Sequence, residues 1–402
     1  MPHITLEEHG QADHHLTDIQ AAAIAQAAGS RLILQQTSRV GWRRLKATSY
    51  VGTVVAGDIE VRIRPKVPIT NVLHLLSTAG QPPSWLTGQR AGYDTARDAL
   101  AAFALLYGHT LSATLSRGAL RGYREHHEPL VAIRGRIDLA AQLRRPDRHS
   151  PVRCRFTDHT ADIDANRYVK HATGLLLRTP GVPSPARRLC KHALQRLDEV
   201  GDQPPPVDLP ERIVHTRLTR HYAPLLTLAG LLRRCLQLSD EHGQTTASTF
   251  LLDMNALFER FVLRALGSAL GGRLTVAGQQ RTHLDRERQV QMIPDLLFSN
   301  PAGRVVLVGD TKYKLTDDGV GGAADHYQLL AYCIRHATTD GVLLYAAGDG
   351  PGPLRTVTVE HTGIRLHSIG VDLAGPPEGI SASIASIAVV VNDLAAGRRS
   401  RA

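Results

Sequence analysis

The sequence predicts an α/β (α+β) protein in three segments. A β-rich module covers residues 1–75, a mostly helical region with basic stretches covers 76–210, and 211–402 forms a domain with a mixed central sheet flanked by helices. Three observations carry this. Asp58-Ile59-Glu60-Val61-Arg62-Ile63-Arg64 alternates apolar and charged residues, the two-residue period of a half-buried strand. Asp94 to Ser116 and Tyr222 to Leu238 are long and apolar enough to be core helices. After Leu251 the order is helix, β-hairpin, helix, strand.

Residues 3–7 have the character of a short strand. Thr17-Asp18-Ile19-Gln20 matches a capping box, so a helix runs from there to Ala28 and stops at Gly29. Leu32 to Gln35, Thr48 to Val55 and Ile59 to Ile63 follow as strands. Arg39, Arg43, Arg44 and Lys46 cluster around Trp42. Basic residues around an aromatic suit nucleic acid through charge and stacking, and equally suit a solvated β-surface or a protein partner. Arg117 to Arg124 and Arg144 to Arg148 are further basic runs. Val152 to Phe156 is a strand, and Thr160 leads into a helix through Leu177, broken at Pro180 to Pro185. Pro204-Pro205-Pro206 with Pro210 is a stiff connector and marks the last boundary. Leu251 begins the next helix, which reaches about Leu270. Gly341 to Ala346 and Ile364 to Val371 are buried strands.

With 402 residues and 43% hydrophobic content the chain can bury a sizeable core. Its net charge of +10, mostly from arginine, favours an anionic partner, and nucleic acid fits best. Cys154, Cys190, Cys235 and Cys333 form no C-x-x-C pair, which argues against structural zinc and for buried thiols in a reducing cytosol. The N-terminus lacks a charged-then-apolar leader, and the apolar run Ile384 to Val391 is too short to span a bilayer. A cytoplasmic protein with no membrane segment is expected.

The chemistry concentrates in residues 290–332. Apolar runs from Val290 to Phe298 and Val305 to Val308 flank Ser299-Asn300-Pro301-Ala302-Gly303, which reads as a hairpin turn. Asp310 and Lys312 are two apart and share a strand face, and the hairpin can bring Asp295 to it. Two carboxylates can hold Mg²⁺ while leaving room for water and a phosphate oxygen, and the lysine can orient the water or offset transition-state charge. Asp-x-Lys alone is common. Pro294-Asp295, fifteen residues upstream in a β context, sharpens the signal. Glu259, on the helix just before the hairpin, is a third candidate metal ligand, although a lone glutamate on an amphipathic helix is usually a surface residue. Asp325 is the expected N-cap of a helix that puts Gln328 and Tyr332 on one face, where the glutamine could bind water or phosphate. Residues 316–324 form a glycine-rich loop without the Gly-Lys-Ser/Thr of a nucleotide-binding motif.

These pieces resemble the PD-(D/E)xK nuclease motif, with Pro294-Asp295 and Asp310-Thr311-Lys312 as its halves. Together with Ile63-Arg64-Pro65-Lys66, Arg134 to Leu139, Asp162 to Lys170, Met254 to Val262, Tyr313-Lys314 and Tyr327 to Tyr332, the chain resembles the McrC family, nuclease subunits of McrBC modification-dependent restriction systems. The resemblance implies that the C-terminal domain cleaves DNA. It implies that the N-terminal part docks into a hexameric AAA+ GTPase of the McrB type and stimulates its hydrolysis. It implies Mg²⁺ on Asp295 and Asp310, Lys312 acting on the water or transition state, Gln328 in support, and Glu259 as the helix glutamate that many such nucleases carry. A stand-alone nuclease and a non-cleaving activator of the motor are the competing expectations.

Overall fold

In the computed structural model the described residues are 3–80, 99–144, 151–206, 208–213, 216–239, 247–313, 322–347 and 354–397. Residues 94–98 of the first long helix, Arg145 to Arg148, Lys314 and residues 316–321 lie outside them. By its contacts the chain forms two compact units. Among the described residues, 3–80, 99–103 and those from 239 onward make up the first, and 104–238 the second.

The first unit begins with β1 (His3–Glu7), β2 (Gln11–His15), α1 (Asp18–Ala28), β3 (Leu32–Gln36), β4 (Trp42–Ala47), β5 (Tyr50–Ala56), β6 (Ile59–Arg64) and α2 (Ile69–Gly80). The Thr17 capping box and the Gly29 stop form as the sequence predicts. β1 lies parallel to β6, which pairs antiparallel with β5. The alternation in β6 buries Ile59, Val61 and Ile63 in a core shared with Leu6, Ile24 and Leu45. The basic cluster around Trp42 is β4, the middle strand of a small antiparallel sheet β2-β4-β3. Its charges are largely answered at home: Arg43 donates to Asp18 at 2.6 Å, Arg44 to Asp13 at 2.7 Å, and the Arg39 guanidinium lies 4.4 Å from the Trp42 ring centre.

The second unit contains most of α3 (Ala99–Ser116), then β7 (Gly122–Leu130), β8 (Arg136–Ile137), α4 (Leu139–Leu143), β9 (Val152–Thr160), α5 (Asp164–Arg178), α6 (Ser184–Leu194), α7 (Leu209–Arg212) and α8 (Ala223–Cys235). Among the described residues it is helical with a three-stranded sheet, β7-β9-β8, in which the strand expected at Val152 to Phe156 is the middle one and β7 and β8 were not foreseen. Asp162 ties its corner, accepting from Arg167 and pairing with Arg124. The apolar run expected as one helix to Leu238 ends at Cys235 and continues as β10 (Leu236–Ser239).

The first unit resumes with β11 (Ala247–Asp253), α9 (Met254–Ala269), β12 (Thr275–Ala277), β13 (Thr282–His283), β14 (Gln291–Met292), β15 (Leu296–Ser299), β16 (Val305–Lys312), α10 (Ala323–His336), β17 (Asp340–Ala347), β18 (Arg355–Thr358), β19 (Arg365–Asp372) and α11 (Pro377–Ala395). The helix expected from Leu251 starts at Met254. Asp253 caps it through the Asn255 and Ala256 amides, and Leu251-Leu252 belong to β11. The central sheet runs β12-β15-β16-β17-β19-β18, parallel from β16 through β19 and antiparallel outside. It is the mixed, helix-flanked sheet the sequence predicts. α10 packs on β16 and β17, while α9 and α11 also pack against β16.

β11 pairs antiparallel with β5, which places Leu251 opposite Gly52. The segments expected as 1–75 and 211–402 therefore share one sheet. Gly52 permits this approach: its φ is +137°, and a Cβ there would sit 2.1 Å from the Phe250 carbonyl oxygen. Among the described residues two helices are long and apolar enough to cross a membrane by length and composition, α3 and α11. The first is the core helix expected from the sequence, and the second contains the apolar run Ile384 to Val391. α3 spends most of that length inside the protein.

Candidate active site

The site is assembled at the end of the β15–β16 pair. Antiparallel pairing sets Leu296 opposite Gly309, so one step outward Asp295 comes beside Asp310. Gly309 keeps the crossing tight, since a Cβ there would meet Val342 Cγ1 at 3.0 Å and Leu296 Cβ at 3.2 Å.

Asp310 is only 1% exposed. Burial, and next the Asp295 carboxylate, raise its ionisation well above the usual carboxylate range, with the Lys312 ammonium opposing them. Its Oδ2 lies 2.5 Å from Lys312 Nζ, yet this buried oxygen receives no well-directed hydrogen bond. Asp295 is half-buried, and its Oδ2 accepts from the Thr311 amide at 2.9 Å and the Thr311 hydroxyl at 2.8 Å. Thr311, between the two motif residues, thus aims the carboxylate from the neighbouring strand.

Lys312 Nζ also donates to Gln328 Oε1 at 2.9 Å and stands 3.9 Å from Asp325 Oδ1. Gln328 Nε2 donates to the Tyr332 hydroxyl at 2.8 Å, and that hydroxyl donates to the Ile293 carbonyl at 3.2 Å. Burial pushes the Tyr332 phenol up to about 12, so it remains a donor. The chain Lys312–Gln328–Tyr332–Ile293 ties α10 to the backbone just before Pro294-Asp295. Tyr332 was legible only as a neighbour of Gln328 on one helix face.

Glu259 is half-buried on α9, and its Oε1 accepts from Gln279 Nε2 at 2.8 Å. Burial and then the Asp295 charge raise its ionisation. It therefore feels the Asp295 carboxylate, with its direct hydrogen bond turned to Gln279. Asp325 is not the N-cap the sequence suggested. α10 begins at Ala323 with Gly322 as its cap residue, and Asp325 sits in the first turn, buried, accepting from the Gly322 amide at 3.2 Å and the Tyr345 hydroxyl at 3.4 Å. The sequence reading missed it as a charge facing Lys312.

Among the described residues no three His, Cys, Asp or Glu side chains converge into a ready-made metal cage. Mg²⁺ does not need one, because it keeps several waters and binds through one or two carboxylates plus phosphate oxygens. Asp295 and Asp310 fit that pattern. Both offer hard oxygen donors, and Asp310 holds a buried oxygen short of donors. What the arrangement can do is present two carboxylates and an ammonium, each held by neighbours, at the end of a strand pair.

The fold recurs in a chain from the refined half-complex of a tetradecameric assembly of Thermococcus gammatolerans McrB AAA+ hexamers with bound McrC. The two are 19% identical with a TM-score of 0.57, covering 96% of this chain and all of that one. A second structure, the McrBC complex of the same organism, aligns at 22% identity and TM-score 0.43 over 67% of this chain and 88% of that one. No curated protein matches the sequence. The family described as McrBC 5-methylcytosine restriction system component matches residues 45–346, three-quarters of the chain and all of the proposed site. The chain belongs to that family.

Proposed function

We propose that this chain is the Mg²⁺-dependent DNA endonuclease subunit of a modification-dependent restriction system, driven by an McrB-like AAA+ GTPase whose hydrolysis it stimulates. The observation that carries the reading is the trio Asp295, Asp310 and Lys312 at the end of β15–β16, with its supports Thr311 and Gln328. Bound Mg²⁺ would supply Lewis-acid activation of the phosphate and a more acidic water. The protein's own groups do the rest. Thr311 fixes the direction of Asp295. Burial keeps Asp310 hungry for a cation, so the site favours the metal over an empty, doubly charged state. Gln328 and Asp310 hold the Lys312 ammonium near the reacting phosphate, where it orients water or offsets developing negative charge. Glu259 and Gln279 lie on the Asp295 side of the site and would order water there.

The family match and the similarity to a chain from an assembly of McrB hexamers with McrC support the partner assignment. The N-terminal module is the docking part in this reading, and the nuclease domain, expected over 211–402, is carried by the part of the first unit from Ser239 onward. Because its basic strand β4 pairs its arginines internally, DNA is gripped mainly elsewhere on a chain whose net charge is +10. The test is cleavage of methylated and unmethylated plasmid with Mg²⁺, with and without GTP and the AAA+ partner. Cutting that needs all of them supports the reading. Cutting by the chain alone moves it to a stand-alone nuclease, and stimulated GTPase without cutting to an activator.

A further inference from the structure

A buried acid lies far from the motif in sequence and touches it in space. Glu8 follows β1 and is 0% exposed. Its Oε2 accepts from the Lys66 amide at 3.2 Å and from the Tyr313 hydroxyl at 3.2 Å. Its Oε1 is buried without a hydrogen bond, and His9 Nε2 lies 3.7 Å away on that side. Tyr313 is the residue directly after Lys312. Its ring is 5% exposed and packs against Phe258 of α9, ring centres 5.9 Å apart, beside Glu259. One tyrosine thus joins three things: the end of the strand that carries Asp310 and Lys312, the helix that carries Glu259, and the N-terminal module.

We propose that Glu8 is a positioning residue for the candidate active site: through the Tyr313 hydroxyl it fixes the end of β16 and so the place of Lys312. The inference rests on the nuclease reading above. A buried carboxyl with one oxygen lacking donors is costly, and a surface position was available one residue earlier at Glu7, which is exposed. What Glu8 gains there is the Tyr313 and Lys66 bonds. Lys312 needs this help because its long chain must reach Asp310 and Gln328 together, and a shift of about 1 Å in such a group costs on the order of 100-fold in rate. Tyr313 remains a donor, since burial and the Glu8 carboxyl both hold its phenol protonated.

The test uses the full chain with its AAA+ partner, GTP and Mg²⁺ on a plasmid containing 5-methylcytosine. The variants are Glu8→Ala, Glu8→Gln, Tyr313→Phe, the double variant Glu8→Ala/Tyr313→Phe, and Ile24→Ala as a core substitution of the same module. Asp310→Ala marks the nuclease reading itself. Rates are taken per folded molecule. Glu8→Ala and Tyr313→Phe should each lower kcat about tenfold or more with KM within twofold, and the double variant should be no worse than the poorer single one. Glu8→Gln, whose amide oxygen can accept both bonds, should recover most of the rate. Ile24→Ala should lower the melting temperature and leave kcat alone. The proposal is overturned if Glu8→Ala cuts like wild type, if Ile24→Ala loses kcat equally, or if the two lesions multiply. An inactive wild type, or an active Asp310→Ala, overturns the nuclease reading and this assignment with it.

Discussion

Replacing Glu8 by glutamine should make the protein's stability less sensitive to pH, in a direction and amount that follow from where Glu8 sits. Burial raises its ionisation from 4.5 to about 7, against the lowering pull of the Lys66 amide, the Tyr313 hydroxyl and the Lys66 charge. The folded protein therefore binds the Glu8 proton more tightly than the unfolded chain does. The resulting stability is fully present below pH 4.5 and is lost as pH rises through about 7. A shift of that size corresponds to at most about 3 kcal/mol. Glutamine cannot ionise, keeps an acceptor for Tyr313 and Lys66, and can offer its amide to His9, which burial and lysine charges keep inclined to neutrality. Urea unfolding of wild type and Glu8→Gln at pH 4.5 and pH 8 cancels every other titration in the difference. That difference should move by about 2–3 kcal/mol in favour of glutamine between the two values. A pH-independent difference, or movement the other way, would refute the assignment of Glu8 as a buried acid whose ionisation is raised toward neutrality.

Further outcomes follow from the site. Thr311→Val removes the 2.8 Å hydroxyl bond to Asp295 and should lower Mg²⁺ affinity or kcat about 10–100-fold, as measured by Mg²⁺ titration of the cleavage rate. Because burial and Asp295 raise the Asp310 ionisation, protons compete with the metal, so the Mg²⁺ needed for half-maximal cleavage should fall as pH rises from 6 to 8. Gly52→Ala places a Cβ 2.1 Å from the Phe250 carbonyl and should destabilise the first unit by about 3 kcal/mol or more, seen as a lower melting temperature. DNA binding should weaken linearly on a plot of log affinity against log salt, and a flat plot would argue against phosphate contacts as the main attraction.

The Asp295–Asp310–Lys312 trio was legible because its information is local. A turn fixes the hairpin, and a two-residue period fixes the shared face. Gln328 was legible with it, but the parts of Thr311 and Tyr332 were not, because they act through partners sixteen and thirty-nine residues away. Glu8 was hidden more deeply. The alternation of Ile4 and Leu6 points Glu8 inward and Glu7 outward, but nothing local announces the Tyr313 hydroxyl, 305 residues away, that Glu8 meets there. The end of α8 was missed for another reason. Leu236 to Leu238 extends the apolar run equally well as helix or strand, and periodicity cannot separate the two over so few residues. β4 escaped because its charges read as a surface patch, whereas two of its arginines are answered by Asp13 on β2 and Asp18 on α1. The joining of β5 to β11 spans about two hundred residues and depends on one glycine with room for a carbonyl, which no local pattern announces.

The measurement that bears most directly on the central claim compares wild type with Asp310→Ala on methylated plasmid, with Mg²⁺, GTP and the AAA+ partner present, while following the partner's GTP hydrolysis in the same tubes. Wild type should cut, Asp310→Ala should not, and both should stimulate the GTPase equally. Cleavage by Asp310→Ala would contradict the placement of the active site at the end of β15–β16.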